Sequence, residues 1–139
     1  MNGQRDMVRS WFGLSPHKIP IAGRAGSIAV LSFTEAYGAF SKIAPEDSVN
    51  ETCARIMIRM DRYRPITKAG KVKCPALIQI CDQDEPVRAE NIDKAIKKMD
   101  PHSEAGNYAI GHFDIYTGDN FEQAIADQLE FFRKHLIPE

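Results

Sequence analysis

The chain has 139 residues, of which 43% are hydrophobic and 27% are charged, as in an ordinary globular domain. Its 18 basic and 19 acidic residues give a formal net charge of -1, so its surface offers no attraction to nucleic acid or to an anionic membrane. No apolar run approaches the roughly eighteen residues of a membrane span, and the N-terminus lacks a signal-peptide core, so we expect a cytoplasmic protein.

The first part of the chain, residues 1–65, is irregular and interrupted by proline and glycine. Three short helices fit between the breaks, at roughly 4–13, 34–42 and 48–60. The third has an apolar face at helical spacing, formed by Cys53, Ile56, Met57 and Met60. Ser48 and Glu51 are placed to form a capping box at its start. The sequence thus predicts a helical segment without a sheet of its own.

The second part, residues 66–139, alternates strand and helix patterns. The nearly continuous apolar run 76–81 predicts a strand that is covered on both faces, as in a parallel sheet. A helix at roughly 88–99, a short strand at 107–110 and a helix at 119–136 follow. The last helix has an apolar stripe of Phe121, Ile125, Leu129, Phe132 and Leu136.

Acidic residues and a histidine follow the two predicted strands at the points where they end. Asp82 and Asp84 come after the first strand, and His112 comes after the second. A strand–helix–strand connection makes the two strands parallel, and ligands of such sheets bind at their carboxyl ends. We therefore expect an aspartate and His112 to meet at one edge, where the carboxylate would orient the imidazole as a general base.

These segments resemble the alpha/beta-hydrolase superfamily. The resemblance covers residues 66–139 most clearly and is carried by CPALIQICDQDEPV, by the helix after it, and by GHFDIYTGDNFEQAIADQLEFFRKHL. It implies that Asp84 is the acid and His112 the base of a nucleophile–histidine–acid triad. Asp82 competes with Asp84 for the acid role, and Cys81 stands where the family often has glycine.

The resemblance also implies that residues 1–65 form a helical cap or lid, placed before residues 66–139 of the hydrolase core. The expected fold class is α/β: a partial alpha/beta-hydrolase fold with short parallel strands and flanking helices. The family uses no cofactor in this chemistry, so none is expected. In the complete enzyme the substrate would be a small acyl compound with an ester-type bond.

The family's nucleophile elbow, G-x-S-x-G, is absent from the sequence. Ser15 is followed by proline, and Ser27 lacks the required neighbours, so neither fits the elbow. The chain therefore resembles the C-terminal half of a hydrolase whose nucleophile, serine, aspartate or cysteine, belongs to a missing N-terminal half. Such a chain would be inactive alone.

Two other interpretations remain open. A metal site built from Asp82, Asp84, His112 and Asp114 is chemically possible, but no metal-ligand spacing supports it, and we predict no metal. The chain could instead be a non-catalytic module that self-associates through an exposed sheet edge and apolar helix faces, for example as a dimer. The three cysteines form no CxxC and are expected to be buried thiols.

Overall fold

Two units make up the chain, Met1–Arg64 and Pro65–Glu139. The structure is a computed structural model that describes residues 1–137, apart from the side chain at position 61. The boundary between the units, after Arg64, lies next to the predicted division after residue 65. The role of the first part as a cap stays a prediction. No helix within the described residues is long and apolar enough to cross a membrane.

Three helices and a minimal sheet form the first unit. Its elements are α1 (Asn2–Trp11), β1 (Lys18–Ile19), α2 (Ala36–Ile43), β2 (Thr52–Cys53) and α3 (Ile56–Arg62). The first two predicted helices are confirmed within about two residues. The prediction of a third helix from residue 48 and of no sheet was wrong, because β2 pairs antiparallel with β1 and α3 begins only at Ile56.

The side chain of Asn50 explains why the segment before α3 stays extended. Its Oδ1 accepts a hydrogen bond from the Ala22 N–H (2.9 Å), and its Nδ2 donates to the Ala22 carbonyl (2.8 Å). An asparagine amide thus satisfies both backbone groups of Ala22 as a neighbouring strand would. The expected capping box of Ser48 and Glu51 does not form, because the helix begins only at Ile56.

Asp6 organises the first unit, because its carboxylate is completely buried and joins three segments. Oδ1 accepts from the His17 N–H (2.7 Å), Oδ2 accepts from the Arg55 N–H (2.9 Å), and the Arg55 Nε lies 3.5 Å from Oδ2. Burial raises the pKa of Asp6, but the two backbone donors and the guanidinium outweigh it and leave that pKa below its ordinary value.

Helices α1 and α3 approach each other closely at Gly3. A Cβ at this position would lie 2.9 Å from Cγ1 of Ile58 and 3.1 Å from the Ala54 carbonyl oxygen. Any larger residue would therefore push α1 away from the start of α3.

The second unit contains a parallel strand pair with two long helices. Its elements are β3 (Ala76–Cys81), α4 (Ala89–Met99), β4 (Ser103–Tyr108) and α5 (Gly118–Leu136), with short 3-10 turns at Pro65–Thr67, Ala69–Lys71 and Asp114–Tyr116. Strands β3 and β4 pair in parallel with Ala76 opposite Ser103 and Cys81 opposite Tyr108. The predicted α/β order is confirmed. Strand β4 begins four residues earlier than predicted, since its polar sequence, SEAGNY, has no apolar pattern that marks where the strand starts.

Both long helices of the second unit contact the strand pair. Gln79 hydrogen bonds to the backbone of α5, so the odd-numbered side chains of β3 point toward that helix. The even-numbered side chains, Ile78 and Ile80, therefore point to the other face. Helix α4 contacts both strands. This arrangement is that of a β–α–β unit with one further helix.

The apolar surface of the second unit is only partly buried. Strand β3 is half-buried along its whole length, and its cover on both faces stays a prediction. The apolar stripe of α5 forms, but four of its members are exposed: Phe121, Leu129, Phe132 and Leu136. The cysteines also differ from expectation, since Cys74 is exposed and Cys53 and Cys81 are half-buried thiols.

Candidate functional site

Asp84 lies in the turn after β3 and is held by that turn. Its N–H donates to the Cys81 carbonyl (3.1 Å), and its Oδ1 accepts from the Val87 N–H (2.8 Å). The first carboxylate oxygen is thus used locally, and the second, Oδ2, points toward the end of the neighbouring strand. Asp82 is exposed, and its N–H bonds to the carbonyl of Tyr108.

His112 lies four residues beyond the end of β4, in a loop closed by a hydrogen bond from the Gly111 N–H to Oδ2 of Asp114 (2.9 Å). Its Nδ1 lies 2.7 Å from Oδ2 of Asp84. The ring also meets Phe113 edge-on, with a centroid separation of 4.7 Å. The histidine is thus oriented by a carboxylate and by an aromatic ring.

The Asp84–His112 contact is short and partly protected from water. The side chain of Asp84 is 11% exposed and that of His112 is 29% exposed. A carboxylate that accepts from Nδ1 favours the tautomer with its proton on Nδ1, and it stabilises the imidazolium when Nε2 takes a second proton. The contact joins Asp84, and not Asp82, to the histidine.

A groove of about 460 Å³ runs from this pair along β3, and we call it the β3-edge groove. Its walls are mainly apolar and come from β3, the 3-10 turn after His112, α4 and α5: Ile78, Gln79, Ile80, Cys81, Asp84, Val87, Ile92, His112, Ile115, Tyr116, Phe121, Ala124, Ile125 and Gln128. Asp84 and His112 lie at one end of the groove, beside the carboxyl end of β3.

A hydrogen-bonded network that the sequence did not indicate ties β3 to α5. The amide nitrogen of Gln79 donates to the Tyr108 hydroxyl (2.8 Å) and to the Ala124 carbonyl (2.9 Å), and its oxygen accepts from the amide of Gln128. The Tyr108 hydroxyl donates in turn to Asp127. The one available signal was a glutamine inside an otherwise apolar strand.

Two groups near the pair have shifted pKa values. Burial, followed by the charges of Asp84, Asp114 and Asp82, raises the pKa of the Cys81 thiol. Burial and the bond to the Asp127 carboxylate raise the pKa of Tyr108, and the bond from Gln79 opposes them. Cys81 is therefore held in the protonated form, which is a poor nucleophile.

The metal-site and nucleophile candidates from the sequence do not add to the Asp84–His112 pair. Among the described residues, no group of three or more histidine, cysteine, aspartate or glutamate side chains could hold a metal ion. Ser15 belongs to the first unit, where its carbonyl accepts a hydrogen bond from Nε of Arg9 (2.7 Å), and Ser27 also lies in that unit.

Fold and site together define an α/β protein with an aspartate–histidine pair at the carboxyl edge of parallel strands. No protein-family model matches the chain. The chain is 30% identical over 136 residues to the quorum-quenching protein AidA of Acinetobacter baumannii (strain MDR-ZJ06), a match that covers 96% of this chain and 44% of AidA. It is 32% identical over 121 residues to an uncharacterized 31.7 kDa protein of the traX-finO intergenic region of Escherichia coli, covering 80% of this chain and 40% of that protein.

A solved structure shares the fold. The structure of DcsB in complex with its substrate analogue matches with a TM-score of 0.76 and 17% sequence identity, over 98% of this chain and 49% of the DcsB chain. At this identity the likeness shows the fold alone. The chain spans less than half the length of the relatives that it matches.

Proposed function

We propose that this chain supplies the acid and the base of a nucleophile–histidine–acid hydrolase that acts on ester-type acyl bonds. The observation that carries the proposal is the 2.7 Å contact between His112 Nδ1 and Asp84 Oδ2, at the carboxyl ends of neighbouring parallel strands. In this assignment Asp84 orients the histidine, His112 transfers the proton, and residues 1–65 act as a cap.

The chemistry needs a hydroxyl nucleophile from polypeptide beyond this chain, since the sequence has no G-x-S-x-G elbow. Nε2 of His112 would take the hydroxyl proton while the oxygen bonds to the acyl carbon. The imidazolium, stabilised by Asp84, would then protonate the leaving alcohol as the ester bond breaks. A water molecule, deprotonated by the same nitrogen, would release the acid and regenerate the nucleophile.

Names and fold of the relatives support this proposal. AidA is described as quorum-quenching, and DcsB is known in complex with a substrate analogue. Both descriptions fit a site that binds a small molecule. We propose a small acyl compound as substrate of the complete enzyme and the cytoplasm as its compartment.

Nuclear magnetic resonance can test the pair in this chain alone. With Asp84 in place, the nitrogen shifts of His112 should report a proton fixed on Nδ1 at neutral pH. Asp84→Asn should shift the ring toward a mixture of tautomers, whereas the matched variant Asp82→Asn should leave it unchanged. Equal spectra for both variants would contradict the assigned role of Asp84.

Activity is tested by restoring a nucleophile. The chain alone should hydrolyse no p-nitrophenyl ester and react with no fluorophosphonate probe. When it replaces the matched 136 residues of AidA, esterase activity should appear. His112→Ala or Asp84→Asn should then lower kcat by on the order of 10⁴-fold. Labelling of Ser15 in the chain alone would overturn the proposal.

A second candidate function, a self-associating module without catalysis, is favoured by the exposed apolar stripe of α5. Leu129, Phe132 and Leu136 are at least about half exposed, and a second copy would bury them. Light scattering after size-exclusion chromatography decides this question. A monomer at all concentrations, with a single cooperative melt, would exclude the module.

A further inference from the structure

His112 is the second residue of a tight turn, residues 111–114, which we call the His112 turn. The Asp114 N–H donates to the Gly111 carbonyl at 3.2 Å and closes the turn. Phe113, its third residue, has φ −100° and ψ −10°, close to the values of about −90° and 0° for that position of a type I turn. The direction of the imidazole therefore depends on how firmly this turn is held.

The side chain of Asp114 closes the same turn a second time. Its Oδ2 accepts from the Gly111 N–H at 2.9 Å, so both backbone groups of Gly111 are bonded to one residue. The acceptor is a carboxylate, and a hydrogen bond to a charged group is roughly twice as strong as a neutral one. The bond from the side chain is thus the shorter and the stronger of the two that close the turn.

The chain before this turn is tied to the loop that carries the acid. The Gln83 N–H donates to the Ile110 carbonyl at 3.1 Å, and Nε2 of Gln83 donates to the Ala109 carbonyl at 3.2 Å. Asp84 is the next residue, so the acid is fixed relative to the chain up to Ile110. The position of His112 then depends on the path of the chain after Ile110, which is the part that the His112 turn sets.

Asp114 also acts at this edge through its charge. Burial raises the pKa of the Cys81 thiol, and the charges of Asp84, Asp114 and Asp82 raise it further. Two routes therefore connect Asp114 to His112, its charge and its hydrogen bond. Asp82 separates them experimentally, because it is an exposed carboxylate of the same edge that lies outside the His112 turn.

We propose that Asp114 is a positioning residue for the base His112. Its carboxylate holds the His112 turn in the conformation that keeps Nδ1 of His112 2.7 Å from Oδ2 of Asp84. Asp114 does not line the β3-edge groove, so it acts through the histidine and not on the reacting atoms. The proposal rests on the hydrolase assignment, since the aim of a base matters where the base transfers a proton.

Loss of the Asp114 carboxylate should let the His112 turn populate other conformations. In those conformations Nδ1 leaves Asp84, and Nε2 is turned away from the nucleophile. A misplacement of about 1 Å costs on the order of 10²-fold in rate, and the remaining backbone bond keeps part of the population in place. We therefore expect kcat to fall by on the order of tenfold, far less than on removal of His112 itself.

Nuclear magnetic resonance on the full chain separates the hydrogen bond from the charge. Asp114→Ala removes both, Asp114→Asn removes the charge and keeps an acceptor oxygen, and Asp82→Ala removes a charge from the same edge. The nitrogen shifts of His112 should move toward a mixture of tautomers in Asp114→Ala, and they should still report a proton on Nδ1 in the other two variants. The Gly111 amide should lose its protection from hydrogen exchange in Asp114→Ala alone.

The protein in which this chain replaces the matched 136 residues of AidA shows the consequence for catalysis. Asp114→Ala should lower kcat by on the order of tenfold and leave KM within about twofold, because a positioning residue does not touch the substrate. Asp114→Asn should recover most of the lost kcat, and Asp82→Ala should leave both constants unchanged. A role in folding alone would give neither this split between kcat and KM nor this rescue.

Asp114 is exposed, so alanine leaves no cavity there, and the backbone signals of β3 and β4 should stay in place. If the alanine variant nevertheless fails to fold, the unmodified chain decides the question. Its Gly111 amide should be protected from hydrogen exchange by the bond to Asp114. An unprotected Gly111 amide would overturn the proposal without any variant.

Three further results would overturn the proposal. One is an equal shift of the His112 ring signals in Asp114→Ala and Asp82→Ala. Another is an Asp114→Asn variant that behaves like Asp114→Ala, which would make the charge the cause. The third is lower stability of Asp114→Ala with unchanged ring signals and kcat. Failure of the hydrolase assignment looks different, because the fused protein would then show no esterase activity while the ring signals still respond to Asp114.

Discussion

Replacing Gln79 with leucine tests whether the network between β3 and α5 stabilises the second unit. The glutamine amide donates to the Tyr108 hydroxyl and the Ala124 carbonyl, and its oxygen accepts from Gln128. Leucine has a similar volume and keeps the apolar part of the contact. The change therefore removes three hydrogen bonds and creates little cavity.

The magnitude follows from what each partner retains. A hydrogen bond contributes about 0.5–1.5 kcal/mol net, so three bonds set an upper limit of about 4.5 kcal/mol. Tyr108 keeps its bond to Asp127, and the half-buried Gln128 can recover a bond to water. The Ala124 carbonyl belongs to a buried residue and recovers less. We expect the free energy of unfolding of the second unit to fall by about 1.5–3 kcal/mol.

The two units can be followed separately in one urea titration. Trp11 is the single tryptophan and lies in the first unit, so its fluorescence reports that unit alone. Amide signals of β3 and α5 report the second unit. The matched control is Gln123→Ala, whose amide bonds to Asp127 on the exposed side of α5, and we expect it to change stability by less than about 0.5 kcal/mol.

A Gln79→Leu effect no larger than that of Gln123→Ala would refute the reasoning, since the network would then add nothing beyond solvation. A stabilised variant would refute it as well, and would mean that burying the glutamine amide costs more than its three bonds return. A fall in stability that appears only in the tryptophan signal would also refute the reasoning, because Trp11 lies in the first unit and the network lies in the second.

The remaining predictions concern titratable groups. The pKa of Asp6 is lowered, so the Asp6 carboxylate stabilises the first unit fully above the unfolded pKa of 3.8, and this stabilisation is lost as pH falls through the folded pKa. Asp6→Asn should therefore remove this acid dependence from the melt that is detected by tryptophan fluorescence. Iodoacetamide should alkylate the exposed Cys74 several-fold faster than Cys81, whose raised pKa lowers its thiolate fraction; equal rates in mass mapping would contradict the Cys81 assignment. Asp127→Asn should lower the pKa of Tyr108 in an ultraviolet titration, and an unchanged curve would count against the hydroxyl–carboxylate bond.

The second unit was readable from sequence because its elements are long and periodic. The run at 76–81 and the helices near 88–99 and 119–136 lie where their patterns indicate. The meeting of an aspartate, Asp82 or Asp84, with His112 followed from topology, because parallel strands carry their carboxyl ends to one edge. Strand β4 was misplaced, since its polar residues have no strand period and β3 sets its register.

The first unit was harder, because its local patterns compete with long-range bonds. The apolar spacing from Cys53 to Met60, with a capping box at Ser48, favoured a helix over 48–60. Pairing of β2 with β1 and the contact of Asn50 with Ala22 instead hold the segment before Ile56 extended. Neither contact has a local signal, since their members lie about thirty residues apart. Asp6 likewise gave no indication of its burial.

By itself, the sequence determined the α/β alternation, the placement of an aspartate and His112 at one edge of the strand pair, and the absence of a nucleophile elbow, because each depends on local composition or on chain order. Only the tertiary structure decided that Asp84, rather than Asp82, contacts the histidine and that a glutamine joins β3 to α5. Those features depend on strand register and on side-chain direction, because a shift of one residue along a strand turns every side chain to the opposite face.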